Sequence, residues 1–180
     1  MLAIGASCGG GMALVVALKY LEYGIGDRVK GVVALAPMTI HPEHVPEKYK
    51  PHLKAWEGNR DGPVVDFEGM MLFQAINGAT AQKANPDVFV ALHDRLGELP
   101  PTYIATCGAD VIRDDGTIIK VALDEARVPC KLDNYEGLPH FFWIYPEISE
   151  GDRFRENAAA AVNWVVSQRG ASTSASKQAG

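Results

Sequence analysis

Five residues near the start of the chain, Gly5-Ala6-Ser7-Cys8-Gly9, match the pattern G-x-S-x-G. An apolar run over residues 2–4 precedes them and a helical pattern follows. A serine in such a strand-to-helix turn is raised above the sheet at a helix N-terminus, where its hydroxyl can attack a carbonyl carbon. The peptide N–H of Cys8 would then point at the oxygen on which charge develops. The flanking glycines suit a sharp turn that a Cβ at either position would obstruct. A glycine-rich turn that merely packs closely would carry the same five residues, so Ser7 needs partners before it counts as a nucleophile.

Those partners are a general base and a group that orients it. Gly108-Ala109-Asp110 follows an apolar run over 102–106, and Gly137-Leu138-Pro139-His140 follows Cys130–Tyr135. Both loops fall at carboxyl ends of expected strands, the sheet edge on which Ser7 also lies and on which open α/β sheets place their sites. Of the five histidines, His140 alone occupies a strand-end loop; His41, His44, His52 and His93 read as solvated or capping residues. Asp114 and Asp115 rival Asp110 by type, but their place just before a helical pattern suits N-capping. Cys8 has no paired base and reads as a small packing residue. His41-Pro42-Glu43-His44 lacks the HExxH spacing of a zinc helix and has no Cys/His cluster beside it, so no metal is expected.

The elements that must position these residues alternate short apolar runs with helical patterns. That alternation predicts an α/β fold, a parallel sheet flanked by helices. Strands are expected over 2–4, 32–36, 102–106 and 130–135, and helices over 10–23, 117–126 and 152–168. The first helix is apolar nearly all round through Leu18, which predicts burial on most sides, and Gly24 suits its C-terminal cap. Residues 38–98, about 60 in number, are too many for a simple connection and should form an inserted helical cap. The cap carries a Met/Phe cluster, and Met70, Met71 and Phe73, with Phe141 beside His140, are candidate substrate-binding residues. Plain helix core would explain the cluster equally well. Residues 169–180, rich in Ser, Ala and Gly, read as a disordered tail.

Composition narrows the function. Among 180 residues, 17 Lys and Arg against 22 Asp and Glu leave a net charge of −5, which argues against a nucleic-acid or anionic-membrane surface. No apolar run reaches the roughly 18 residues of a membrane span. The apolar start lacks a basic leading region and reads as core rather than as a signal peptide. Three widely spaced cysteines form neither a disulfide framework nor a CxxC pair, which predicts a reduced, cytoplasmic protein.

Ser7-Cys8-Gly9-Gly10, Leu99-Pro100-Pro101, Asp110-Val111-Ile112-Arg113-Asp114 and His140, in that order, resemble the hormone-sensitive-lipase-like group of α/β-hydrolases. The segment Gly137-Leu138-Pro139-His140-Phe141-Phe142-Trp143 looks most like that group's fungal esterases. The resemblance spans about residues 1–168. It implies an α/β-hydrolase fold in which Ser7 is nucleophile, Asp110 the orienting acid and His140 the general base. It further implies cofactor-free cleavage of a small-molecule carboxylic ester through an acyl-enzyme. Two departures stand out: Ala6 and Cys8 occupy positions where the group commonly has Asp and Ala, and its upstream His-Gly-Gly oxyanion motif does not occur. The chain therefore looks like the C-terminal half of such a hydrolase. Weak activity and self-association through an exposed edge at Leu2–Ile4 are expected. A non-catalytic ligand-binding or degenerate member of the fold is the alternative, and thioesterase or peptidase chemistry would use the same residues.

Overall fold

A computed structural model describes the backbone of residues 1–177 and the side chains of residues 1–168. Four parallel strands, β1 (Leu2–Ala6), β2 (Gly31–Leu35), β3 (Thr102–Cys107) and β4 (Cys130–Tyr135), pair in the order β1-β2-β3-β4. Ala6 stands opposite Leu35 and Cys107 opposite Tyr135. The carboxyl ends are thus level, and the loops after β1, β3 and β4 open on one sheet edge.

Parallel strands need crossovers, and here they build helical layers. Helices α1 (Cys8–Glu22) and, after two elements of the insertion, α4 (Arg113–Glu125) cover one face; α5 (Glu150–Lys177) covers the other. Side chains alternate across the sheet as the two-residue period requires. Val32, Ala34 and Ile104 pack with Leu14, Leu18, Ile118 and Leu123, whereas Val33, Tyr103 and Ala105 pack with Phe154, Ala161 and Val165. The central strands are therefore continuous apolar runs, buried on both sides. α5 extends to Lys177, past the Gln168 at which its apolar periodicity stops. Of the tail expected over 169–180, no side chain is described, and residues 178–180 lie outside the described residues.

Two expectations change. α1 is not enclosed: Ala13, Leu14, Ala17 and Leu18 are buried, but Met12 is 64% and Val16 38% exposed. Ile4 is also 56% exposed, on the end strand β1, which among the described residues pairs with β2 alone. The insertion over 38–98 is less helical than expected. It holds a one-turn helix α2 (Ala55–Gly58), a ten-residue helix α3 (Phe67–Ile76) and four 3-10 turns. Prolines at 42, 46, 51, 63 and 86 cut the stretch too often for longer helices. Asp66 caps α3 by accepting from the Gly69 N–H at 2.7 Å.

Candidate active site

Ser7 forms the junction between β1 and α1 at φ 55°, ψ −125°. A non-glycine residue is held at such angles only where its surroundings impose them. Here the Ser7 N–H donates to Leu35 O at 2.8 Å, and Ser7 O accepts from the Met38 N–H at 3.1 Å. The two glycines of the motif are not equivalent. A Cβ at Gly5 would lie 1.9 Å from Gly9 O, whereas a Cβ at Gly9 would meet nothing within 4 Å. The expected obstruction thus exists at Gly5 only, where β1 and the first turn of α1 touch backbone to backbone. Cys8 heads α1, one of four leading N–H groups that find no partner inside a helix. Cys8 is exposed, which corrects its reading as a small packing residue.

His140 reaches Ser7 from the far side of the sheet. Its Nε2 lies 3.1 Å from Ser7 Oγ and its Nδ1 2.5 Å from Asp110 Oδ2. The loops that carry the two side chains are joined by backbone: Gly108 N–H donates to Tyr135 O at 2.7 Å and Ala109 N–H to Leu138 O at 3.0 Å. Gly137 turns the chain at φ 69° and Phe141 closes the turn at φ 59°. Behind it, Phe142 is fully buried against Tyr135, and Trp143 stacks on Phe154 of α5 with ring centroids 4.2 Å apart. The Phe-Phe-Trp run thereby anchors the histidine loop to a helix.

Asp110 receives further support that its local sequence does not announce. Its Oδ1 accepts from the Ile112 N–H at 3.1 Å. Asn59, just after α2, donates through Nδ2 to Gly108 O and Asp110 O at 3.0 and 2.8 Å. An asparagine beyond a one-turn helix carries no sequence signal for this role.

Asp114 and Asp115 do not cap α4, whose N-cap residue, Ile112, makes no side-chain capping bond. Asp115 Oδ2 accepts from Thr39 N–H at 2.7 Å and Ile40 N–H at 3.1 Å, just after β2. Asp114 Oδ2 accepts from Lys54 and Ala55 N–H, both at 2.7 Å, at the start of α2. The first turn of α4 thus clamps the insertion at two points. Burial pushes the Asp115 carboxyl up to about 8, against the pull of its two backbone donors. Neither residue is hydrogen-bonded to His140, which rests on Asp110.

Of the insertion's histidines, His44 is exposed and His52 half-buried, as expected for solvated residues. His41 and His93 are instead buried. The His41 ring packs edge-on to Phe89, and desolvation lowers its pKa. His93 lies 3.3 Å from Glu22 of α1. His93 thereby joins the insertion to the helix layer beneath it, while His41 packs within the insertion.

A cavity of about 280 Å³ opens over Ser7 and His140. Met70 and Phe73 of α3 and Phe141 line it, as expected of substrate-binding residues, and Cys8 stands at its side. Met71 does not line it and lies half-buried elsewhere on α3. Gln74 does line it, a position that apolar periodicity conceals by placing a polar residue inside an apolar stripe.

A family model described as the alpha/beta hydrolase fold matches residues 1–144. Versiconal hemiacetal acetate esterase of Dothistroma septosporum is 43% identical over 176 residues, covering 96% of this chain and 53% of that protein. Among solved structures, vibralactone cyclase superposes with a TM-score of 0.87 at 27% identity, over 93% of this chain and 50% of the other. Brefeldin A esterase, a bacterial homologue of human hormone sensitive lipase, shares the fold at a TM-score of 0.67 and 24% identity, over 92% of this chain and 44% of its own. The chain spans about half the length of the relatives it matches. It belongs to the hormone-sensitive-lipase-like group of the alpha/beta hydrolase fold.

Proposed function

We propose that this chain supplies the nucleophile, base and acid of a serine carboxylic-ester hydrolase. One observation carries the reading: three separate strand-end loops bring Ser7, His140 and Asp110 into a single hydrogen-bonded line. With its Nδ1 proton held by Asp110, His140 presents Nε2 to Ser7 Oγ as an acceptor. Nε2 takes the hydroxyl proton as Oγ bonds to the ester carbonyl carbon. The tetrahedral oxyanion accepts a hydrogen bond from the Cys8 N–H. Collapse expels the alcohol, which leaves with the proton from Nε2, and water repeats the sequence on the acyl-serine.

The substrate is a small-molecule ester, and the chemistry uses no cofactor or metal. The relative from Dothistroma is named for an acetate ester, which favours a short acyl group here, with the alcohol part lying against Met70, Phe73 and Phe141. No helix among the described residues is long and apolar enough to cross a membrane. The acidic sequence argues against nucleic acid, and the cysteine spacing supports a cytoplasmic setting.

A non-catalytic ligand-binding role is the second reading, favoured by the mostly apolar lining of the cavity at Met38, Val65, Met70, Phe73 and Phe141. A fluorophosphonate separates the two, because it bonds only to an activated serine. The hydrolase reading expects an adduct on the Ser7 peptide that disappears in Ser7→Ala. A chain that binds esters yet never labels supports the second reading instead.

A further inference from the structure

Met70, Phe73, Gln74 and Asn77 line the cavity over Ser7, the i, i+3, i+4, i+7 stripe of a helix facing a core. Gln74 is the anomaly in that stripe. It is 1% exposed, on a face where a methionine or leucine would leave no polar atom to satisfy. Its Nε2 donates to Met38 Sδ at 3.5 Å, a weak acceptor, and its Oε1 is buried with no hydrogen-bond partner. Reversing the two amide ends would set oxygen against sulfur, two acceptors facing each other. Of the side chains with a buried polar atom left without a partner among the described residues, Gln74 is the one that lines that cavity.

We propose that Gln74 determines specificity: its amide oxygen accepts a hydrogen bond from a hydroxyl group of the substrate, so the site prefers hydroxylated esters to their deoxy counterparts. This rests on the reading of Ser7 and His140 as an ester-cleaving pair. A substrate that fills the cavity displaces water from it, so any hydroxyl it carries must find an acceptor on the wall. Met38, Met70, Phe73 and Phe141 offer none of strength. The Asn77 carbonyl already accepts from the Ala79 N–H at 3.0 Å. The Gln74 oxygen is uncommitted, and the weak contact of its Nε2 with sulfur leaves the amide free to turn about its last bond toward the ligand.

Benzyl acetate and its three ring-hydroxylated isomers provide matched probes. Binding to the Ser7→Ala chain, which leaves the ester uncleaved, is measured by calorimetry or ligand-observed NMR. At least one hydroxylated isomer should bind roughly tenfold more tightly than benzyl acetate, the worth of about one hydrogen bond. Adding Gln74→Met, close in volume and apolar, should bring that ratio to near one, and Gln74→Leu serves should the methionine variant fail to fold. Equal binding of all four esters to the Ser7→Ala chain overturns the inference without any Gln74 variant, as does a preference that survives Gln74→Met or Gln74→Leu. Fluorophosphonate labelling of the unsubstituted chain keeps the two levels apart. Labelling at Ser7 without hydroxyl preference leaves the hydrolase reading standing and removes this one, whereas neither labelling nor ester binding removes both.

Discussion

His140 Nδ1 stands 2.5 Å from Asp110 Oδ2, with the two side chains only 6% and 1% exposed. A carboxylate so deeply buried is costly unless a donor faces it, and here the donor is the ring. The contact fixes which nitrogen of His140 carries its proton. The other nitrogen is left as an acceptor 3.1 Å from Ser7 Oγ.

In a catalytically active form of the protein, Ser7→Ala, His140→Ala and Asp110→Asn should each lower kcat by roughly 10³-fold or more. The losses should not multiply, because the three groups act as a unit. Combining any two should cost little beyond the worse single change. Turnover that survives Asp110→Asn but disappears in Asp115→Asn would transfer the acid's role to Asp115.

Gly5 and Gly9 should respond in opposite ways to the same substitution. Gly5→Ala sets a Cβ 1.9 Å from a backbone oxygen, so either β1 or the start of α1 must move and the Ser7 turn with it. Loss of cooperative folding, or of fluorophosphonate labelling in whatever folds, is expected. Gly9→Ala enters open space inside a helix and should stabilise by up to about 1 kcal/mol. Thermal melts of the two variants decide the matter, and similar behaviour would contradict the packing described.

Much of this site could be read before the fold was known. Strand ends of a parallel sheet collect on one edge, so a GxSxG turn, an Asp loop and a His loop, each after an expected strand, have one place to meet. The β4 bounds, Cys130–Tyr135, match the expected strand residue for residue. What local sequence does not signal are the bonds between α4 and the insertion, which span long sequence distances. Asp114 reaches 60 residues back to Lys54, and Asp115 76 residues back to Thr39. Local rules for aspartate before a helix describe N-capping; nothing local to these two residues indicates that backbone from another segment will arrive instead. His41 and His93 each accept a backbone N–H two residues on, as a capping residue would, but are buried rather than solvated, since burial depends on what folds over them.

Asp115 should make stability fall as pH rises. Its carboxyl goes from an ordinary 3.8 to about 8 on burial. Between those values the folded chain keeps a proton that the unfolded chain releases, so the contribution is full below about 4 and is lost as pH climbs to 8. The slope from this one group is at most about 1.4 kcal/mol per pH unit. Asp115→Asn cannot titrate and should flatten the urea-unfolding profile between pH 4 and 8. An unchanged slope in that variant would show that other groups set it.

Asp114→Ala and Asp115→Ala should loosen the insertion rather than fray α4. Each removes the acceptor of two backbone N–H groups, at a cost of roughly 2–4 kcal/mol, above the ~1 kcal/mol typical of a lost helix cap. Hydrogen exchange distinguishes the outcomes. Protection should fall at residues 39–40 in Asp115→Ala and at 54–55 in Asp114→Ala, with the centre of α4 little changed.

The outer edge of β1 leads to the last expectation, that residues 1–180 expressed alone self-associate. Among the described residues the edge has no strand partner, so its outward N–H and C=O groups can pair with another chain. Apolar side chains flank it on both sides of the sheet. Ile4 shares the α5 face with Leu2, while Met12 and Val16 project from the outer side of α1. Apolar exposure beside an unpaired strand edge favours association. Sedimentation velocity over a hundredfold concentration range should show mass rising with concentration. Ile4→Lys with Met12→Lys places charge on each side of the edge without touching Ser7, Asp110 or His140, and should return the chain to monomer while leaving fluorophosphonate labelling of Ser7 intact. A chain that sediments as a monomer throughout, with or without the lysines, would mean that this edge needs no cover.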